Sequence, residues 1–347
     1  MKKFATVLMS AILVVGIEWS CRSNPVEPPP RNPREYTWTI DTLKYPGSFQ
    51  TAMDVVWGSG PSDIYIAGGA SGWFSKMYHY DGTSWQPLKL DSRDGGPIQP
   101  LAAFGGIFGF SGHDVYAVGV KYPGGIENSL VIHFDGTTWS ERDVIGGKYL
   151  QAVWGNSPTD LWVGGTHGSL FHFDGSTWRK FPLADSIWIS RIAGCASNEV
   201  YASAYHSNQD GVMTFYVFKW DGVTWSVLRS FTQSSFVEDE FGYRIAFLGN
   251  QLFSVGSGVF KSTSGGWMRI FGNRSTGFTD MSGPQPDDFF AVGVYGLVYH
   301  YNGRDWFQFS RFMSNDVHFY GCWYDASEVF IVGTDGGGFK TFVLHGR

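Results

Sequence analysis

Nine histidines and three cysteines are the side chains best suited to metal or nucleophilic chemistry in this 347-residue sequence. His79, His133, His172 and His300 each stand two residues before an Asp or Asn. Ligands of one metal ion must converge to about 2 Å from a common centre, whereas these four recur at long intervals, each in its own segment. They are expected to bond neighbouring turns, and no metal or other cofactor is expected. Nucleophile and phosphate motifs are missing: the sequence holds no Gly-x-Ser-x-Gly, no Walker loop and no Cys-x-x-Cys pair. Arg191 and Arg244, with Asp54, Gln151, Asp280 and His318, form a second polar set, suited to lining a hydrated channel.

The elements that carry these residues repeat. Asp-Gly-x-x-Trp recurs at Asp81–Trp85, Asp135–Trp139, Asp174–Trp178 and Asp221–Trp225, with Asn302–Trp306 as a variant and a degenerate copy ending at Trp267. Ahead of it lies an acid followed by alternating apolar residues, as in Asp63-Ile64-Tyr65, Asp160-Leu161-Trp162 and Glu328-Val329-Phe330. Short apolar runs broken by Gly, Asn, Pro and Asp read as strands joined by tight turns. A repeat of about 40 to 50 residues with four strands is the signature of a β-propeller. Seven copies predict an all-β, seven-bladed β-propeller over residues 35–347. The last copy lacks its outer strand, and the segment 35–44, with Trp38, is expected to supply it, closing the ring without a free edge. His345-Gly346 is read as standing where Asp-Gly stands elsewhere. The repeated tryptophans are expected to pack between blades. With 46 Gly, 18% aromatic and 16% charged residues, the composition excludes coiled coils, disordered chains and polybasic nucleic-acid binders.

Asp63-Ile64-Tyr65-Ile66-Ala67-Gly68-Gly69 with Tyr80-Asp81 and Trp85 resembles a kelch repeat, and Leu161 to Asp174 resembles the sensor-propeller repeats of bacterial two-component regulators. Lys261 to Trp267 is similar to the Asp-box turn of sialidase-type propellers. These resemblances imply the propeller fold; the residues they rest on shape turns and blade packing, not chemistry. A sialidase-like site would need three arginines over the channel, and only Arg191 and Arg244 occupy suitable strands. A non-catalytic binding or scaffolding role is therefore expected, with a carbohydrate-active hydrolase acting at the channel mouth as the alternative.

Residues 1–20 have the parts of an export signal: Lys2 and Lys3, an apolar run from Phe4 to Ile17, and Ser20 before Cys21. The segment resembles a bacterial lipoprotein signal, which implies acylation of Cys21; an ordinary secretory or a retained signal is the alternative. Residues 21–34 carry Pro25, Pro28, Pro29, Pro30 and Pro33, a composition that favours an extended tether. The expectation is a monomeric protein of the cell envelope, held by a lipid anchor, as an outer-membrane lipoprotein facing periplasm or exterior. With 25 basic against 31 acidic residues, nucleic acid is not expected as a partner.

In a propeller blade, the A–B and C–D turns open on one face and the B–C and D–A connections on the other. The long connections, 88–100, 121–128, 205–211 and 230–240, all fall on the second face, and loops clustered on one rim carry recognition. Trp73, Arg93, Asp94, Lys121, Tyr122, Trp188, Arg191, Tyr205, His206, Asp210, Phe236, Glu238, Asp239, Glu240 and Arg244 are the candidate ligand-binding residues, suited to a protein or a glycan. Cys195 and Cys322 fall in blades four and seven and are expected to be unpaired and buried, because a disulfide needs Cα atoms within roughly 7 Å. Cys21→Ser should abolish fatty-acid labelling and membrane retention in a bacterial host while the propeller still folds; labelling that survives the change refutes the lipoprotein assignment.

Overall fold

The computed structural model describes residues 31–44, 48, 50–70, 74–99, 101–142, 146–233, 240–273, 275–337 and 340–347. Among them, seven four-stranded antiparallel sheets follow one another, each ordered A-B-C-D. The A strands of adjacent blades contact each other and line the axis. These are Thr51–Gly60, Leu101–Ser111, Leu150–Ser157, Trp188–Ala196, Arg244–Leu248, Phe278–Gln285 and Val317–Tyr324. The seventh sheet takes its outer strand from the start of the chain: Trp38–Leu43 pairs with Thr341–Gly346, from Trp38 opposite Gly346 to Leu43 opposite Thr341. Reciprocal bonds between Thr37 and Arg347 extend this closure. The expected fold and its closure by residues 35–44 are both present.

Each Asp-Gly-x-x-Trp element makes a C–D turn. The Asp oxygen accepts two backbone N–H groups, as Asp81 does from Thr83 and Ser84 and Asp135 does from Thr137 and Thr138, at 2.8–2.9 Å. The glycine that follows has φ near +90° in Gly82, Gly136 and Gly175, a conformation costly for other residues. The tryptophan then opens strand D and packs back on its own blade and on the one before. Trp139 meets Phe134 at 5.3 Å and Tyr65 of blade one at 6.1 Å. Trp225 meets Trp162 of blade three at 5.1 Å, and Trp85 meets Phe330 of blade seven at 6.2 Å. Near the axis a second wedge operates: a Cβ on Gly109 would lie 2.6 Å from the Trp57 ring, and one on Gly194 would lie 2.7 Å from Trp154. Glycine stands there because the preceding blade's indole occupies the side-chain space.

The histidines occupy a slot between strands B and C. His79, His133, His172 and His300 bond Asp63, Asp114, Asp160 and Asp288, the first residue of strand B in the same blade, at 2.6–2.8 Å. Each ring also packs on the aromatic residue two places after that acid, as His133 does on Tyr116 at 4.2 Å and His172 on Trp162 at 4.3 Å. The expected turn partner is thus replaced by the acid of the adjacent strand. Blade seven corrects a second detail: His345 lies opposite Phe330, bonds Glu328 and stacks on Phe330 at 4.0 Å. It fills the histidine slot, not the Asp-Gly turn, because it stands on strand C opposite the aromatic residue two places after the acid, as His79 stands opposite Tyr65. Blade four places Lys219 there, 3.7 Å from Glu199 and over the Tyr201 ring. Burial pushes the Asp63 carboxyl up, but bonds from His79 and Ser59 outweigh it and hold it below the usual carboxylate range.

Both cysteines of the propeller are free, as expected, but only Cys322 is buried. Cys195 is exposed, since it sits where strand A leaves the channel for the A–B turn at 197–198. Deleting residues 35–44 should expose the edge of Thr341–Gly346 and cause aggregation or a large fall in Tm, while deleting 22–30 should leave Tm unchanged. Equal melting of both variants and the parent would refute the closure.

Candidate functional site

With strands ordered A to D in each blade, the B–C and D–A connections open on the face opposite the A–B and C–D turns; residues 100 and 234–239 of the long connections lie outside the described residues, and 205–207 and 230–232 belong to strands. Blade four stands out among the blades. Its strands B, C and D run Glu199–Ser207, Met213–Trp220 and Trp225–Thr232, longer than their counterparts in blade three. Tyr205 and His206 are therefore strand residues, opposite Phe215 and Thr214, where the sequence reading placed a loop. The alternating Met213-Thr214-Phe215-Tyr216 run continues the ladder outward because β-branched and aromatic residues suit a pleated, half-exposed strand.

Of the expected binding residues, Trp73, Phe236, Glu238 and Asp239 lie outside the described residues, as does Cys21. Arg93 is held within its own connection, and Lys121, the last residue of strand B in blade two, is held by strand D of the same blade. Arg93 donates through Nε and Nη2 to the buried Asp91, at 2.9 and 2.5 Å, closing the 88–100 connection. The bond to Asp91 raises the Arg93 pKa. Lys121 pairs with Glu141. Arg93 thus fixes the shape of its connection, and Lys121 ties strand B of its blade to strand D. Asp94 is half-buried, whereas Asp210 and Glu240 are exposed, and Tyr122 is 44% exposed.

Trp188, 37% exposed, opens strand A of blade four. It contacts Tyr205 at 5.6 Å and His167, from the B–C turn of blade three, at 6.0 Å. His206 bonds the Ser186 carbonyl at 3.2 Å beside them. An equivalent group, not anticipated as a site, lies between blades six and seven. Tyr295, 52% exposed in a B–C turn, meets His318 at 5.3 Å edge-on, and His318 lies 6.5 Å from Tyr320. His318 Nδ1 also accepts the Tyr295 N–H at 3.2 Å. The signal was present in the sequence, since His167-Gly168 and Tyr295-Gly296 fall at the same point of their repeats. Both pairs have positive φ throughout: 55° and 63° in the first, 59° and 72° in the second. Ser169 N bonds Thr166 O and Leu297 N bonds Val294 O, so each is a two-residue hairpin turn. Such turns favour Asn-Gly, and a bulkier L-residue in this region costs roughly 1 kcal/mol.

Between these two groups, blades four to six enclose a cleft of about 200 Å³. Phe215, Phe231, Phe241, Phe278 and Val294 wall it, and Ser257 lies at its edge with a buried hydroxyl that has no hydrogen-bond partner.

In the channel the two arginines reach past their neighbours. Arg191 of blade four meets Asp280 of blade six at 3.3 Å, and Asp280 also accepts the Cys322 N–H of blade seven at 3.1 Å. Arg244 of blade five donates to the Tyr320 carbonyl of blade seven at 3.2 Å. Both are thus engaged in bracing non-adjacent blades, and the A strands carry no third arginine. Asp54 of blade one is raised to about 6 by burial, which the charge of Arg244 only partly offsets, and its Oδ1 has no partner. Among the described residues, no three His, Cys, Asp or Glu side chains are placed to hold a metal ion.

No sequence-family profile matches the chain, and no curated protein does either. Among solved structures, YCF48 bound to a D1 peptide superimposes with a TM-score of 0.63 at 15% identity, over 91% of this chain and 97% of its own. YCF48 from Cyanidioschyzon merolae matches with a TM-score of 0.52 at 14% identity, over 89% of this chain and 98% of the other.

The raised Asp54 pKa has a definite sign. Folded Asp54 holds its proton more tightly than the unfolded chain, so the protein loses stability as pH rises from about 4 to about 6. Asp54→Asn should exceed the parent by about 2 kcal/mol in urea unfolding at pH 7.5. That gain should shrink as pH falls through 6 and vanish near 4; a constant difference at all pH values would show that Asp54 is not the group responsible.

At this level of identity the YCF48 likeness establishes a common seven-bladed fold and nothing finer, so the chain is placed by architecture alone.

Proposed function

We propose that this protein is an exported, lipid-anchored binding propeller of the cell envelope. It recognises a protein or glycan through the face bearing the B–C and D–A connections, as a monomer and without catalysis. The observation that carries the reading is the rim itself: exposed aromatic groups stand at two points around an apolar cleft on the face with the long connections. Exposed aromatic surface on a rigid scaffold is characteristic of recognition sites. The solved YCF48 structure with a bound D1 peptide supports the same reading, since it shows a propeller of this shape engaging a peptide. The channel offers less to a hydrolase, because Arg191, Arg244 and Asp280 are already bonded to other blades.

A photoreactive phenylalanine analogue placed at Tyr122, Trp188 or Tyr295 in living cells should yield cross-linked adducts on irradiation. The same analogue at Thr83, Thr137 or Ser176, in the C–D turns of the opposite face, should yield none. Adducts confined to the C–D turns, or equal on both faces, would refute the assignment of the binding face.

A further inference from the structure

We infer that the rim takes an extended, basic segment of a partner protein, with lysine or arginine side chains laid on two aromatic platforms. This deepens the binding role proposed above and rests on it. The first platform is His167, Trp188 and Tyr205; the second is Tyr295, His318 and Tyr320. They are built alike: a B–C turn presents an aromatic ring at positive φ, and the next blade's A strand supplies the ring it meets. Twice, therefore, a turn that favours Asn-Gly holds a strained His or Tyr instead. Strain at an observed backbone outlier points to a role for the side chain that is held there. His167 and Tyr295 are both exposed, so that role lies at the surface, not in the core.

The chemistry of the platforms selects the ligand. The faces of Trp and Tyr rings attract cations, and Arg and Lys stack on them readily. The charge around them agrees. Asp185 lies three residues before Trp188 and Asp316 two before His318, each exposed on the D–A connection that leads into its platform. Asp210 adds an exposed carboxylate in the B–C turn of blade four. Three cations on the same face are paired with acids, Arg93 with Asp91, Lys121 with Glu141 and Lys148 with Glu127, and Arg311 is laid over the Trp38, Phe309 and Phe312 rings. Aromatic faces flanked by exposed carboxylates complement a basic segment and repel an acidic one. Two platforms set apart by blade five call for an extended chain, not a single small cation.

The test uses the full-length protein and a fluorescein-labelled ten-residue peptide of alternating Gly and Lys, read by anisotropy. Binding is expected to be at least tenfold tighter than for the Gly-Glu peptide or for a neutral N-acetylglucosamine hexasaccharide, and to weaken as salt is raised. Tyr295→Asn and His167→Asn should each weaken binding about fivefold while raising Tm by roughly 1–3 °C, because Asn suits the turn. The double change Asp185→Asn, Asp316→Asn should weaken binding about fivefold with Tm unchanged. Equal binding of the acidic peptide or the sugar, unchanged binding by the Asn variants, or a lower Tm in Tyr295→Asn would each overturn the inference. Cross-links that still map to this rim beside a basic peptide that fails to bind would discard the ligand class alone; loss of both would discard the binding face as well.

Discussion

A four-stranded sheet has two faces to cover, and in a ring each face can be covered only by the neighbouring blade. Adjacent blades diverge outward, so the filling must be thin at the axis and thick at the rim. The chain meets this with indoles set against glycines near the channel, Trp57 over Gly109 and Trp154 over Gly194, and with larger aromatic groups outside, Trp162 meeting both Trp220 and Trp225. Well-placed aromatic pairs contribute roughly 0.5–1.5 kcal/mol each beyond the area they bury. Because every blade both gives and receives such a wedge, removing the closing strand at Trp38 would strip cover from blade six as well as blade seven.

The acid and base pair found in every blade but the fifth, where Gln251 bonds Ser262 instead, serves a different end. An Asp or Glu opening strand B and a His or Lys on strand C fix the register of that hairpin, since a slip of one residue would leave both groups without their partner. The aromatic residue opposite the base then covers it, as Phe330 covers His345 and Tyr65 covers His79. The pair keeps partly buried polar groups satisfied and explains why histidines that invite a metal assignment are already occupied.

With the scaffold braced this way, and with Arg191 and Arg244 linking blades that are not neighbours, the loop face can hold unfavourable local conformations. The His167 and Tyr295 turns are the clearest instance. Their strain is tolerated because the flanking strands B and C are paired on both sides and the turn has no alternative register.

The amino-acid sequence by itself determined the blade count, the turn chemistry and the ring closure, because each rests on local patterns: alternation within a strand, an Asp accepting two N–H groups, a glycine at positive φ. It also placed Trp188 and Tyr205 on the face that bears the B–C and D–A connections. It did not reveal that Arg93 and Lys121 are tied to Asp91 and Glu141, nor that Tyr205 and His206 belong to a strand, since side-chain partners and strand extension depend on what the ladder finds opposite. Tertiary structure alone decided which residues of different blades meet. Arg191 and Asp280 are 89 positions apart, and Tyr295 and His318 are 23 apart, in separate repeats. Nothing in either local sequence names its partner, because the contact exists only once the ring has closed and set one blade's turn against the next blade's inner strand.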